Sequence, residues 1–383
     1  MRSPFLVWLL VAALVIILTA IYTISHPTPF VVPSLRFLSP SSVAGLALPQ
    51  AQAPLVLPPP TTRILPIPAR TFIINLERRT DRRESMEVLR AGVDAPSHWT
   101  YVFAQDAHAP WPVRVLHRVR ALREAVFATY PRSKWELDGE LIKLPFAWPD
   151  PMPDPHPAPF DEASLALDFP VAEEPTLLVR TRSTPLTRGV VSCYRSHLSA
   201  LELAAQQTDA ASLIMEDDVD MEIDIQARLD KIWGALPADW DVVYLGHCWS
   251  DETAHAPLPI PTHSSASLHV VNGTVPRLHP SRAPLCTHAY AVSPAGARRL
   301  LSHLTLPSFA YSRPIDNAIA HLIETDRVKS YTVVPNVIIQ RDKRGVSDIS
   351  GRLDNVGGWE AKLVNGFFAK LDREEAEEQE RRV

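Results

Sequence analysis

Ser212-Leu213-Ile214-Met215-Glu216-Asp217-Asp218-Val219 decides the reading of this chain: an apolar run with the character of a buried strand ends in three consecutive carboxylates. Neighbouring carboxylates repel one another unless a cation or a strong donor compensates them. In open α/β sheets ligands gather at the carboxyl ends of the strands, so acids in this position point to a site. A hard divalent ion such as Mn²⁺ or Mg²⁺ takes oxygen ligands, is held by one or two carboxylates, and leaves the remaining positions to water and substrate phosphates. A solvated loop following a strand is the competing reading, and the three acids alone do not choose between them.

On both sides of the acids, strands and helices alternate. The run from Thr71 to Leu76 is β-branched and aromatic, as a buried first strand requires. Asp81 with Glu84 predicts a helix start with reciprocal capping, and Met86, Val88 and Leu89 supply its inner face. Asn75 at the strand end and Arg78 and Arg82 beyond it make a candidate site for an anionic ligand, since arginine offers planar bidentate donors to phosphate. A second strand is expected from Trp99 to Ala104. A helix follows from Val113 to Tyr130, with Val115, Leu116, Val119, Leu122, Val126 and Phe127 on one side. Ser192 is the expected cap of a helix running through Leu198, Leu201 and Ala205 and carrying His197.

Beyond the acids, Ile223 to Leu236 reads as an amphipathic helix and Trp240 to Gly246 as a strand whose final glycine permits close backbone geometry. His247 to Ala283 reads as a long irregular loop. It carries the Asn272-Gly273-Thr274 sequon, a candidate N-glycan acceptor at Asn272. Thr287 to Val292 is a further strand, and Ser293-Pro294 caps a helix with Ala297, Leu300, Leu301 and Leu304 as its buried stripe. Asp316 falls at the start of the next helix, where the dipole favours a carboxylate. Tyr331 to Val334 is the last clear strand, and the charge run from Arg373 reads as a frayed helix or disorder.

The 383 residues are 46% hydrophobic and 21% charged, enough for one large α/β domain. A net charge of -5 gives no footprint for nucleic acid. Three cysteines have no zinc-site spacing, and whether Cys248 and Cys286 bridge is left open. Proline, at 37 residues against 13 glycines, falls mainly in two blocks. Residues 25–70 read as a semi-rigid stem. Residues 145–185, with proline at every second position from Pro149 to Pro159, read as a surface insertion that holds no regular helix or central strand. Phe5 to Tyr22 is almost unbroken apolar sequence, and roughly 20 residues of helix span a bilayer core. Residues 1–4 are then a cytoplasmic tail and 5–24 a signal-anchor, which puts the body of a single-pass type II protein in the lumen of the Golgi or endoplasmic reticulum.

Several of these stretches also fall in a familiar order. Phe72-Ile73-Ile74-Asn75-Leu76 with Arg78, Arg79, Asp81 and Arg82 comes first. Arg188-Gly189, Cys193-Tyr194 and Ser196-His197 follow, and then Met215-Glu216-Asp217-Asp218-Val219. Trp240 to Gly246, His288 to Leu300 and Pro314-Ile315-Asp316 come later. This series resembles glycosyltransferase family 25, the group of bacterial lipooligosaccharide galactosyltransferases and procollagen galactosyltransferases.

The resemblance covers residues 71–350 as a catalytic domain and leaves 351–383 as a C-terminal extension. It implies a GT-A type α/β fold, a Rossmann-like mixed sheet flanked by helices, and a nucleotide-sugar donor such as UDP-galactose with Mn²⁺ or Mg²⁺. A hydroxyl of a glycan or glycoprotein is the expected acceptor, on which the resemblance says little. In those terms Asp218 and Glu216 are the candidate metal ligands. Asn75, Leu76, Arg78, Arg82, Arg188 and Glu216 would contact the donor, and Asp316, Asp217 and His197 are candidates for the catalytic groups, with Asp251 held behind them. Two other classes compete: an inactive, membrane-tethered nucleotide- or glycan-binding protein of the same fold, and a metal-dependent phosphoesterase. The second normally needs a denser set of His and Asp ligands.

Overall fold

A computed structural model describes residues 70–93, 98–129, 148–155, 186–208, 210–260, 275–306, 309–341 and 362–382. The expected anchor and stem, most of the proline-rich insertion and the sequon lie outside the described residues. Among the described residues no helix is long and apolar enough to cross a membrane.

The strand runs found in the sequence assemble into one mixed sheet. In order across it stand β2 (His98–Phe103), β1 (Arg70–Asn75), β3 (Ser212–Glu216), β7 (Leu285–Val292), β5 (Val242–Cys248), β8 (Ser330–Val334) and β6 (Arg277–Pro280). β1 is parallel to both β2 and β3, whereas β7 runs antiparallel to β3 and β5. Alternate residues of the central strands face opposite sides. Phe72, Ile74, Ile214, Tyr244 and Tyr290 point to one core, while Ile73, Leu213, Met215, Val243 and Leu245 point to the other.

Each face is covered by helices, which explains why these strands are apolar throughout rather than alternating. The first face is covered by α3 (Arg188–Ala205), α5 (Pro294–Leu304) and α6 (Ile315–Glu324), with α2 (Trp111–Thr129) beside them. The second is covered by α1 (Thr80–Gly92) and α4 (Ile225–Ile232). Each buried leucine or isoleucine on these faces contributes about 1.5–3 kcal/mol relative to exposure.

Several local expectations are corrected. α1 begins after Arg79 without a side-chain cap, because Asp81 is drawn back into an ion pair with Arg79 instead of capping. Val88 is exposed at 49%, since a helix turns about 200° between Met86 and Val88 and only Met86 and Leu89 face the sheet. The cap of α3 is Thr187, whose hydroxyl accepts from the Val190 amide, so Ser192 lies inside the helix. Ser293 does cap α5, accepting from the Gly296 amide with proline at the first helical position.

The stretch read as a loop from His247 contains the end of β5 and all of β6, and Cys248 and Cys286 are disulfide-bonded with Cα atoms 5.7 Å apart. The acids are also followed by structure that periodicity does not announce. β4 (Val219–Met221) pairs antiparallel with β9 (Ile338–Gln340), setting Val219 opposite Gln340. Gly246 allows this ribbon in, because a Cβ there would strike the Ile338 carbonyl and the His288 ring. Finally, the charged C-terminal run is helical as α7 (Phe367–Arg382).

Candidate active site

β1 and β3 are adjacent parallel strands, so Asn75 at the end of one and Glu216 at the end of the other emerge side by side. Asn75 is buried, and its Nδ2 donates to Asp217 Oδ2 at 2.7 Å and to the Arg79 carbonyl at 3.1 Å. Arg82, on the first turns of α1, donates from one guanidinium nitrogen to Asp217 Oδ1 at 2.6 Å and to Asp218 Oδ2 at 3.2 Å. Gln340 Nε2 lies 3.5 Å from Asp218 Oδ1, and the Arg341 amide donates to the Asp218 carbonyl. The repulsion expected between Asp217 and Asp218 is thus answered by one arginine and two amide side chains. These pairs are charge-assisted and largely out of water, where a hydrogen bond to a charged group is worth about 1.5–3 kcal/mol.

Glu216 turns to the other side, towards α3. Its Oε1 lies 3.5 Å from His197 Nε2 and accepts from the Thr287 hydroxyl at 3.5 Å. The His197 ring is buried at 1% exposure, stacks on Tyr290, and has Nδ1 3.1 Å from the Tyr290 hydroxyl and Nε2 3.3 Å from Thr287 Oγ1. Burial drives the Tyr290 phenol well above its ordinary pKa, so it stays a neutral partner for the imidazole. Cys193 lies one helical turn before His197, and burial, with the charges of Glu216 and Asp316, pushes its thiol well above the usual value.

Arg82, Cys193, His197, Glu216, Asp217, Asp218 and Gln340 line an open cleft at the carboxyl ends of β1 and β3. Of the residues singled out from the sequence, Leu76, Arg78, Arg82, His197, Glu216, Asp217 and Asp218 are on its wall. Asn75 reaches it through Asp217. Arg78 is exposed and pairs with Asp106 at 3.5 Å.

Arg188, Asp316 and Asp251 are not on that wall. Arg188 is half-buried at the start of α3. Asp316, in the first turn of α6, accepts from the Asn317 amide at 2.7 Å and from the Cys286 amide at 3.4 Å. Its charge still reaches Cys193 on the wall. Asp251 is exposed and bound to its own loop, where Thr253 donates to it and lowers its pKa. Sequence reasoning gave no role to Cys193, Thr287, Tyr290 or Gln340. Cys193 and Tyr290 fall within the family motifs, whereas Gln340 arrives through a strand pairing that has no sequence signal.

Comparison with known proteins bears out the family resemblance. Residues 173–318 match the model of glycosyltransferase family 25, described as an LPS biosynthesis protein. A probable inactive glycosyltransferase 25 family member 3 from Bos taurus is 32% identical over 120 residues, covering 30% of this chain and 18% of that protein. Procollagen galactosyltransferase 1 from Danio rerio is 21% identical over 212 residues, covering 51% of this chain and 32% of its own length. Procollagen galactosyltransferase 1-A from Xenopus laevis is 37% identical over 65 residues, 16% of this chain and 11% of that protein. The chain therefore spans no more than about a third of these curated relatives. The matched family segment includes α3, the three acids and Asp316, but not Asn75 or Arg82.

Proposed function

We propose that this protein is a metal-dependent glycosyltransferase of GT-A type that moves galactose from UDP-galactose, with inversion, to a hydroxyl of a glycan or glycoprotein. The observation that carries the reading is the convergence of Asn75, Arg82, Asp217 and Asp218 on one cleft at the ends of two parallel strands. Asp218 and Glu216 offer carboxylate oxygens there, the donor chemistry that suits Mn²⁺ or Mg²⁺, and Asp218 is the principal ligand. When bound, such an ion supplies Lewis-acid neutralisation of the charge that grows on the leaving diphosphate.

The chain's own residues do the rest. Arg82 and Arg78 present guanidinium donors to the diphosphate, with Arg188 behind them, and Asn75 and Leu76 border the nucleotide. Arg82 now compensates Asp217 and Asp218, so an arriving diphosphate exchanges one set of anionic partners for another without stranding the guanidinium. Inversion needs a base that takes the acceptor's proton from the face opposite the diphosphate. Asp316 is assigned this role: Oδ1 is fixed by the Asn317 amide at 2.7 Å, while Oδ2 has a longer 3.4 Å contact to the Cys286 amide. Asp217 holds Arg82 and Asn75 and is the reserve. His197 orients Glu216 from the far side.

On this proposal the protein works in the lumen of the Golgi or endoplasmic reticulum, with the apolar segment at 5–24 as its anchor, the proline-rich segment after it as a stem, and Asn272 as a glycan acceptor. The test is release of UDP from a panel of UDP-sugars by stem-deleted protein with Mn²⁺. Turnover of UDP-galactose that disappears in Asp218→Ala supports the transferase. Binding without cleavage in both proteins would instead make it a nucleotide- or glycan-binding protein of the same fold.

A further inference from the structure

The three cysteines show no zinc spacing in sequence, yet the fold creates a metal-ligand set around one of them. Cys193 and His197 are four residues apart on α3 and share a face. Glu216, at the end of β3, is brought against that face. One donor atom from each of the three lies within 4.8 Å of the other two, and His197 Nε2 and Glu216 Oε1 are already 3.5 Å apart. Zinc–ligand bonds are about 2.3 Å to sulfur and about 2.0–2.2 Å to nitrogen or carboxylate oxygen, so donors on one tetrahedral ion sit roughly 3.3–3.6 Å apart. The histidine–glutamate edge has that length, and the sulfur needs about 1 Å of movement at most.

We infer that Cys193, His197 and Glu216 form a zinc-binding site in the wall of the cleft, three protein ligands with the fourth position open to the cleft. All three residues line that cleft. The Tyr290 hydroxyl at 3.1 Å from Nδ1 orients the imidazole and accepts its N–H when Nε2 carries the metal. The Thr287 hydroxyl, between Nε2 and Glu216 Oε1, holds the pair at that spacing and gives way to the ion. Binding forms Zn–S, Zn–N and Zn–O bonds and releases the thiol proton to solvent.

Thiolate and imidazole select zinc over Mn²⁺, whereas the Asp218 and Glu216 carboxylates proposed for Mn²⁺ or Mg²⁺ are hard donors. Glu216 is common to both sets. On the transferase reading, zinc therefore competes with the catalytic metal, but the site itself does not depend on that reading.

Cobalt is the probe, added to chelator-treated protein with the Cys248–Cys286 disulfide intact and no sugar nucleotide present. One equivalent should give a thiolate-to-cobalt charge-transfer band that Zn²⁺ abolishes. The band should be absent in Cys193→Ser and His197→Ala and retained in Asp218→Asn. Glu216→Gln, which keeps the thiol and guards against misfolding of the cysteine variant, should weaken affinity by about 100-fold. No band in the unmodified protein, a band unchanged by Cys193→Ser, or an affinity unchanged by Glu216→Gln would overturn the assignment. None of these readouts requires transferase activity.

Discussion

Asp218 and Asp220 stand two residues apart and are almost equally buried, at 6% and 4% exposure, yet they are answered by different kinds of donor. Asp218 faces side chains, Arg82 and Gln340, across an open cleft. Asp220 faces backbone: its oxygens accept from the amides of Met221, Phe368 and Ala369, which places it at the start of α7 as a clamp. Glu222 repeats the pattern, accepting from the Val364 and Asn365 amides with Arg228 alongside.

A side-chain cation can turn from a carboxylate to a ligand's phosphate. The amides at a helix start cannot turn without undoing the helix. One short acidic strip thus holds a site at its first half and a structural clasp at its second.

The largest effect expected from this contrast is on turnover. Asp218→Ala should lower UDP-galactose cleavage by about 1,000-fold, the scale of losing a main electrostatic contact to the transition state, with little change in melting temperature. Steady-state kinetics beside thermal denaturation measure both. Arg82→Ala should act on both axes, because Asp217 and Asp218 would be left without their cation. Removing one partner of a buried pair costs about 3–5 kcal/mol, and urea unfolding should register a loss near the lower figure.

Asp220→Asn should act on stability alone. The amide supplies a single acceptor where two carboxylate oxygens serve three N–H groups, a loss of about 2 kcal/mol. Hydrogen exchange at Phe368 and Ala369 should accelerate first.

The smallest effect is on pH. Burial holds His247, His288 and His303 below the ordinary histidine value of 6.5, so folding keeps them neutral. As pH falls below about 6.5 the unfolded chain takes up protons that the folded chain refuses, and stability drops. Burial raises Asp220 and Glu222, so these two give up stability in the opposite direction, as pH rises through their folded values. Replacing His288 by glutamine should flatten the first slope in pH-dependent denaturation.

What could be read from the chain follows the same division. The central strands are buried on both faces and announce themselves as apolar runs, so Thr71 to Leu76 and Ser212 to Glu216 were legible within a residue or two. The convergence of Asn75, Arg82 and the acids was legible as well, because strand ends and their turns carry it. The β4–β9 ribbon was not: three residues with an aspartate in the middle give no alternation, and the pairing with Gln340 spans more than a hundred positions. Asp220 and Glu222 had the same composition as the acids before them, and only their backbone partners, 142 to 149 residues away, distinguish a clasp from a site. Cys193 was invisible for a similar reason, since its third partner comes from another element.

The most direct test of the division is a paired measurement of UDP-galactose turnover and unfolding free energy on Asp218→Asn and Asp220→Asn, each referred to the amount of folded protein. The account predicts a crossed result, with turnover lost and stability kept in the first, stability lost and turnover per folded molecule kept in the second. Equal losses of turnover in both variants, or full turnover in Asp218→Asn, would contradict it.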